Sequence, residues 1–246
     1  VTQSDFDVRR RATSQVLVAD IESCIVDDDD LHHVLTVMRA RDGEHVVATD
    51  GNGSWRMLTV DGGALVPSDH FGSTSRPTPT LVLVVSPLKG DRTEIIVQKA
   101  TELGVDRLVV APMDHTVAKL RDDKIAVQRE RWQKIADAAL AQSRGLWRTH
   151  VDVVASLEDA AANAAGDVWR ADFADDAVAV DSMLDGSVRA GCGEVAVLIG
   201  PEGGFSASER ERFPSVVSLG PGVLRAETAA LSAAVQLTVA RDRLAR

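Results

Sequence analysis

Between residues 15 and 67 the apolar positions come in short bursts: Val16-Leu17-Val18, His45-Val46-Val47-Ala48, and residues 54–60, where apolar and polar side chains alternate. Alternation at period two is the signature of a half-buried strand. Asp50-Gly51-Asn52-Gly53 and Asp61-Gly62-Gly63 between these bursts are turn formers. With one helix predicted over residues 29–41, the pattern describes a small β-rich unit. Residues 71–79, rich in Ser, Thr and Pro and without apolar periodicity, predict an interdomain linker. The expected domains are therefore 1–72 and 73–246.

Beyond the linker, strands alternate with helices. Residues 80–86 and 107–112 are continuous apolar runs, the mark of strands buried on both faces, and residues 91–103 between them are predicted to form a helix ended by Gly104. Over residues 128–143, Trp132, Ile135, Ala136, Ala139 and Leu140 share one helical face. Further strands are predicted at 176–181, 194–200 and 216–219, with helices from Ser206 and over about 227–244. Such a βα alternation predicts an α/β domain built on a parallel sheet.

Composition narrows the classes. The 246 residues are 45% hydrophobic, enough for a real core, and carry 27 Lys and Arg against 37 Asp and Glu, a net charge of −10. That balance disfavours indiscriminate coating of nucleic acid. Charge is uneven, however: residues 1–75 balance at −7, 76–150 at +4 and 151–246 at −7. A basic middle third marks either a surface facing a polyanion or helix faces laced with ion pairs. Cys24 and Cys192 form neither a disulfide framework nor a metal spacing, and no apolar run is long enough to span a membrane. A cytoplasmic protein without metal or membrane partner is expected.

Two strand-to-loop-to-helix transitions carry the candidate chemistry. In the first, Val195-Ala196-Val197-Leu198-Ile199 runs into Gly200-Pro201-Glu202-Gly203-Gly204-Phe205, and Ser206-Ala207-Ser208-Glu209 then opens a helix. Loops at the carboxyl ends of parallel strands are where α/β folds bind ligands, and glycines admit a ligand to the backbone. An ordinary turn followed by a capping box fits the same residues. The second transition is Leu219-Gly220-Pro221-Gly222-Val223-Leu224-Arg225-Ala226-Glu227-Thr228-Ala229. Glu227 suits a helix start, whereas Arg225 is a cation where the helix dipole favours an anion. Neither loop has the common dinucleotide or triphosphate spacing.

Together these loops resemble the paired cofactor loops of the SPOUT methyltransferase superfamily, and within it the ribosomal RNA small-subunit methyltransferase E family, which methylates uridine at N3. Leu88-Lys89-Gly90-Asp91-Arg92, Gln98-Lys99-Ala100-Thr101-Glu102-Leu103-Gly104-Val105, Trp132-Gln133-Lys134-Ile135 and Gln142-Ser143 are similar to that family in the same order. Upstream, His32-His33-Val34-Leu35, Val37-Met38-Arg39 and Asp50-Gly51 resemble its amino-terminal RNA-binding domain of PUA-like β-barrel type. The family pattern differs at Ala141, Gly145 and Asp114-His115-Thr116, where it commonly carries Glu, Arg and a Ser-Glu-Arg-Ser run.

The resemblance implies a carboxy-terminal α/β domain with a deep trefoil knot, a homodimer, S-adenosylmethionine as cofactor, and 16S ribosomal RNA in the small subunit as substrate. Cofactor contacts are expected from Leu198, Ile199, Gly200, Glu202, Gly203, Gly204, Leu219, Gly220, Val223, Leu224, Thr228 and Ala229. Uridine N3 is a weakly acidic imide nitrogen, so methylating it calls for proton removal or stabilisation of the anion. Arg225 is the candidate partner of that anion, and Glu202 or Glu227 the candidate base. A surface ion pair is the lesser alternative for Arg225, and either carboxylate could equally be structural. Candidate RNA contacts are Arg10, Arg11, His33, Arg39, Lys89, Arg92, Lys99 and Arg144, acting collectively on phosphates. A ribosome-assembly module without catalysis and an enzyme acting on transfer RNA are the competing readings.

Overall fold

The computed structural model describes residues 3–118, 120 and 122–245, and the chain divides into two compact units. One comprises residues 1–76 with 137–148, and the other residues 77–136 with 149–246.

In the amino-terminal unit, helix α1 (Gln3–Arg11) precedes strand β1 (Ser14–Leu17), helix α2 (Asp28–His32), and strands β2 (His45–Thr49), β3 (Ser54–Asp61) and β4 (Ala64–Ser73). The sheet order is β1-β2-β3-β4, with β1 parallel to β2 and the other pairs antiparallel. Val16, Val46, Ala48, Leu58 and Val60 meet Val34 in one buried cluster. The helix predicted over residues 29–41 is shorter: after α2 the chain passes through a wide turn at His33–Val37, and Arg39, at φ 56°, takes the left-handed conformation that ends helices. The linker expected from residue 71 begins later, because β4 continues through Ser73.

Residues 137–148 join this unit through specific bonds. Gly53 N–H donates to the Leu146 carbonyl at 2.9 Å and Arg148 N–H to the Gly51 carbonyl at 2.8 Å. A Cβ on Gly53 would stand 2.3 Å from the Trp147 indole, so only glycine admits that ring. Leu146 is buried with Val47, Trp55 and Met57.

The second unit begins with strand β5 (Thr80–Val85), helix α3 (Arg92–Glu102), strand β6 (Arg107–Val110) and helix α4 (Ile125–Ser143), whose last turns belong to the first unit. Strand β7 (His150–Val153), helix α5 (Leu157–Ala162), strands β8 (Asp167–Ala171) and β9 (Val178–Ala179) and helix α6 (Val180–Arg189) follow. Strand β10 (Glu194–Ile199), helix α7 (Ala207–Arg212), strand β11 (Val216–Ser218) and helix α8 (Ala226–Leu244) complete it. All neighbouring strands are parallel, in the order β7-β6-β5-β10-β8-β11-β9. Alternate residues of the central strands feed opposite layers: Leu81, Leu83, Val195 and Val197 face one, Val82, Val84, Ala196 and Leu198 the other. The strand predicted at residues 176–181 is only Val178–Ala179, because Val180 already opens α6.

Candidate functional site

Every strand of the larger sheet runs the same way, so the loops leaving β8, β10 and β11 emerge at one edge. They enclose a pocket of about 360 Å³. Strand β10 contributes Ile199 and the turn Gly200-Pro201-Glu202, β11 leads into Leu219-Gly220 and Gly222-Val223-Leu224-Arg225, and β8 leads into Asp172-Phe173. Apolar walls with a few charged groups at the rim are the usual constitution of a small-molecule site.

The β10 loop is held from behind. Its helix α7 starts with the capping box expected from the sequence: Ser206 Oγ accepts from the Glu209 amide at 3.2 Å, and the Ser206 amide donates to Glu209 Oε2 at 2.8 Å. The segment after β6 reaches across to the same loop. His115 Nδ1 lies 3.0 Å from the Gly203 carbonyl and 3.1 Å from that of Gly204, and Ser206 and Ser208 donate their hydroxyls to the Asp114 carboxylate. Those serine hydroxyls hold the Asp114 carboxyl below its ordinary value. A Cβ on Gly203 would come within 2.9 Å of His115 Cβ, so a side chain there would push the latch apart.

A second tie joins the two expected loops. Arg92, at the start of α3, places Nη1 2.6 Å from Glu202 Oε1 and 3.6 Å from Glu227 Oε2. The Glu202 carboxyl is lowered from its ordinary value by its own backbone amide first, and then by Arg92 and Lys89. Arg225 is the residue before α8, exposed, and its guanidinium has no hydrogen bond or ion pair among the described residues. The amino terminus of this 19-residue helix therefore opens at the pocket rim beside an unneutralised cation.

The pocket brings together Ile199, Gly200, Glu202, Gly204, Leu219, Gly220, Val223, Leu224, Arg225 and Ala229. Leu198, Gly203, Thr228 and Glu227 do not line it. Leu198 precedes Ile199 on the strand and so faces the opposite layer, against the cluster of Phe205 and Phe213. Gly203 lies under His115, Thr228 is exposed on α8, and Glu227 sits beside Arg92. Asp172 and Phe173 line the pocket without any signal in the apolar pattern. Asp172 Oδ2 accepts from Arg170 Nε at 3.1 Å and from Arg210 Nε at 2.9 Å, which fixes this carboxylate at the wall.

The expected RNA contacts are divided. Arg10, Arg11, His33, Arg39 and Arg144 lie in the amino-terminal unit; Lys89, Arg92 and Lys99 lie in the other. Arg10, Arg11, His33, Arg39 and Lys89 are exposed. Lys99 pairs with Glu102 at 2.7 Å, and Arg92 is engaged as described. The Arg144 guanidinium donates to the carbonyls of Arg9 at 3.1 Å and Ala12 at 2.6 Å, stitching α1 to the segment after α4. Trp132 is core.

Comparison with known proteins places these features in a family. Residues 74–238 match the family profile described as RNA methyltransferase domain, and residues 26–61 that described as RNA methyltransferase PUA domain. The chain is 30% identical, over 83% of its length and 85% of the relative's, to the ribosomal RNA small subunit methyltransferase E of Bacillus subtilis. A methyltransferase of Legionella pneumophila, solved in complex with the bound cofactor SAM, is 25% identical with a TM-score of 0.73, covering 87% of this chain and 90% of that one. The fold is also that of a ribosomal RNA small subunit methyltransferase E from Neisseria gonorrhoeae, with a TM-score of 0.73 at 23% identity over 92% of this chain and 97% of the other.

Proposed function

Because the chain belongs to the ribosomal RNA small subunit methyltransferase E family, we propose that it transfers a methyl group from S-adenosylmethionine (SAM) to N3 of a uridine in 16S ribosomal RNA. The observation that carries this reading is the joining of three strand-end loops around one pocket, with an unpaired Arg225 at its rim.

The residues present fit the cofactor. Gly220 and Gly222 leave backbone open to a ligand, Gly200 makes room for the Phe205 ring behind the loop, and Ile199, Leu219, Leu224 and Ala229 supply apolar walls for an adenine ring. Gly220 has φ +134°, a conformation side-chain-bearing residues rarely adopt. The α8 amino terminus suits the carboxylate of the cofactor's amino-acid end. When bound, SAM supplies a methyl group activated by attachment to a sulfonium sulfur.

The chain's own residues must then orient the uridine and favour its N3 anion. Arg225 supplies positive charge where negative charge develops on N3 and its neighbouring oxygens. Glu202 and Glu227 act through Arg92, holding the two loops in register rather than taking the proton. Glu202 is made a weak base by its lowered pKa, and Glu227 lies off the pocket wall. The proton passes to solvent at the pocket mouth.

In this reading the 1–72 region binds RNA through a PUA-like barrel, and residues 73–246 bind cofactor, carry the deep trefoil knot and dimerise. Exposed Ile95 on α3 with Val235 and Val239 on α8, two helices in mutual contact, supports an apolar self-association face. The reaction takes place in the cytoplasm, with the small ribosomal subunit as partner. Labelled SAM tests the function directly: label is expected in small-subunit RNA and absent from large-subunit RNA, and no transfer to either would contradict the proposal.

A further inference from the structure

A second cavity, of about 290 Å³, lies wholly within the amino-terminal unit. Its construction begins with the antiparallel pairing of β3 and β4, which sets Arg56 opposite Phe71 and Trp55 opposite Gly72. A Cβ on Gly72 would approach the Trp55 indole nitrogen to 2.9 Å, so glycine lets the buried indole lie against the strand. Beside the sheet, the Asp20 carboxylate accepts from the amides of Glu22 and Ser23, both at 3.1 Å, and closes a tight turn. Arg56 ties the parts together, Nη1 donating to the Glu22 carbonyl at 2.9 Å and Nε to the Ser68 carbonyl at 2.8 Å. Its guanidinium is thereby pinned at the cavity with N–H groups to spare.

The lining has a particular chemistry. Phe71 stands 69% exposed at the cavity although it belongs to a strand, and Ile21 adds apolar surface above the buried Trp55 indole. Arg56 and Glu22 bring opposite charges, and Ser54 and Ser73 bring hydroxyls. A phosphate gains little where one cation is matched by one carboxylate, and residues 1–75 carry a net −7. A neutral planar heterocycle gains from each element: an aromatic face for stacking, arginine donors for its carbonyl or ring nitrogen, and carboxylate and hydroxyl oxygens for its N–H groups. The cavity has room for one such ring and not for the groove of a duplex.

We propose that this slot binds a single unpaired nucleobase of the RNA, at a site separate from the cofactor pocket. The proposal rests on the RNA-substrate reading above and adds the place where the amino-terminal unit grips the strand.

Phe71→Ala and Phe71→Trp test it in the full-length protein, using a mixed-sequence single-stranded oligoribonucleotide and the same strand annealed into a duplex. Removing the ring is expected to weaken single-strand binding about tenfold, the order of one lost base stack, and to leave SAM affinity unchanged. Tryptophan at position 71 is expected to keep the affinity and to deepen the quench of indole emission on binding beyond that of the parent protein, whose Trp55 lies beneath the slot. Duplex affinity is expected to be insensitive to both changes. Equal single-strand binding by the alanine variant, no added quench, or no single-strand binding by the parent protein would overturn the slot. Binding that depends on Phe71 without methyl transfer would sink the catalytic reading alone, whereas methyl transfer with an unchanged RNA KM in Phe71→Ala would sink the slot alone.

Discussion

Arg225 is the residue on which the chemistry turns. It occupies the capping position of α8 without making a capping bond, and it lines the pocket without a carboxylate partner among the described residues. A cation at that end of a helix opposes the dipole, so its placement serves something other than helix stability. Arg225→Ala is expected to lower kcat by about a hundredfold, the order seen when one electrostatic donor to a developing anion is removed, with SAM affinity within about twofold of the parent. Rate measured against pH adds a second test. If the N3 proton leaves to solvent, kcat/KM rises with pH as the imide ionises, and Glu227→Gln leaves the shape of that rise unchanged. If Glu227 took the proton instead, the parent rate would be flat across the neutral range, where a carboxylate is already ionised, and Glu227→Gln would expose the rise.

At the scale of elements, the site depends on loops held by segments that do not touch the ligand pocket. Because both Gly203 and Gly204 present carbonyl oxygens, His115 Nδ1 must carry the proton that it shares with them. His115→Ala removes those bonds and is expected to raise the SAM Kd about tenfold, of the order of one lost hydrogen bond. His115→Asn, whose amide nitrogen reaches the position of Nδ1, is expected to restore affinity, and His115→Gln is not. Equal affinities across the three, measured by calorimetry, would remove the latch from the account.

The sequence made some elements plain and hid others for physical reasons. Strands β5 and β10 are buried on both faces and read as unbroken apolar runs. Strand β8, equally central, is interrupted by Arg170, 5% exposed, whose charge is satisfied by Asp172 and by the Phe213 carbonyl. Periodicity therefore missed it, and with it the pocket residues Asp172 and Phe173 that follow. Strand β4 escaped notice because its side chains are mostly exposed and it contains Pro67. The two glycine loops were legible because a strand running into glycines before a helix start leaves a local signature, reinforced at the first loop by the capping box. The His115 latch was not, since it joins residues 88 and 89 positions apart.

For the molecule as a whole, the carboxy-terminal helix is locked to the larger sheet by a buried ion pair. Arg241 and Asp106 are 4% and 3% exposed; Arg241 Nη1 lies 2.5 Å from Asp106 Oδ2, and Nη2 donates to the Gly104 carbonyl at 2.9 Å. The same Asp106 oxygen accepts from the Leu81 amide at 2.8 Å, so the pair joins α8 to β5 and to the turn before β6. Removing one partner of a buried pair leaves an uncompensated charge. Arg241→Ala is expected to cost about 3–5 kcal/mol in stability, lowering Tm by on the order of 10 °C in thermal denaturation. A drop of only a degree or two would show that the helix is held by its apolar face alone.

The central claim joins fold, pocket and RNA in a single product. The most direct measurement is to take small subunits from cells lacking this protein, incubate them with it and SAM, and map methylated nucleosides in the RNA by mass spectrometry. The account predicts 3-methyluridine at one position of 16S RNA with the parent protein and almost none with Arg225→Ala. A methyl group on another atom, or on another RNA, would contradict it.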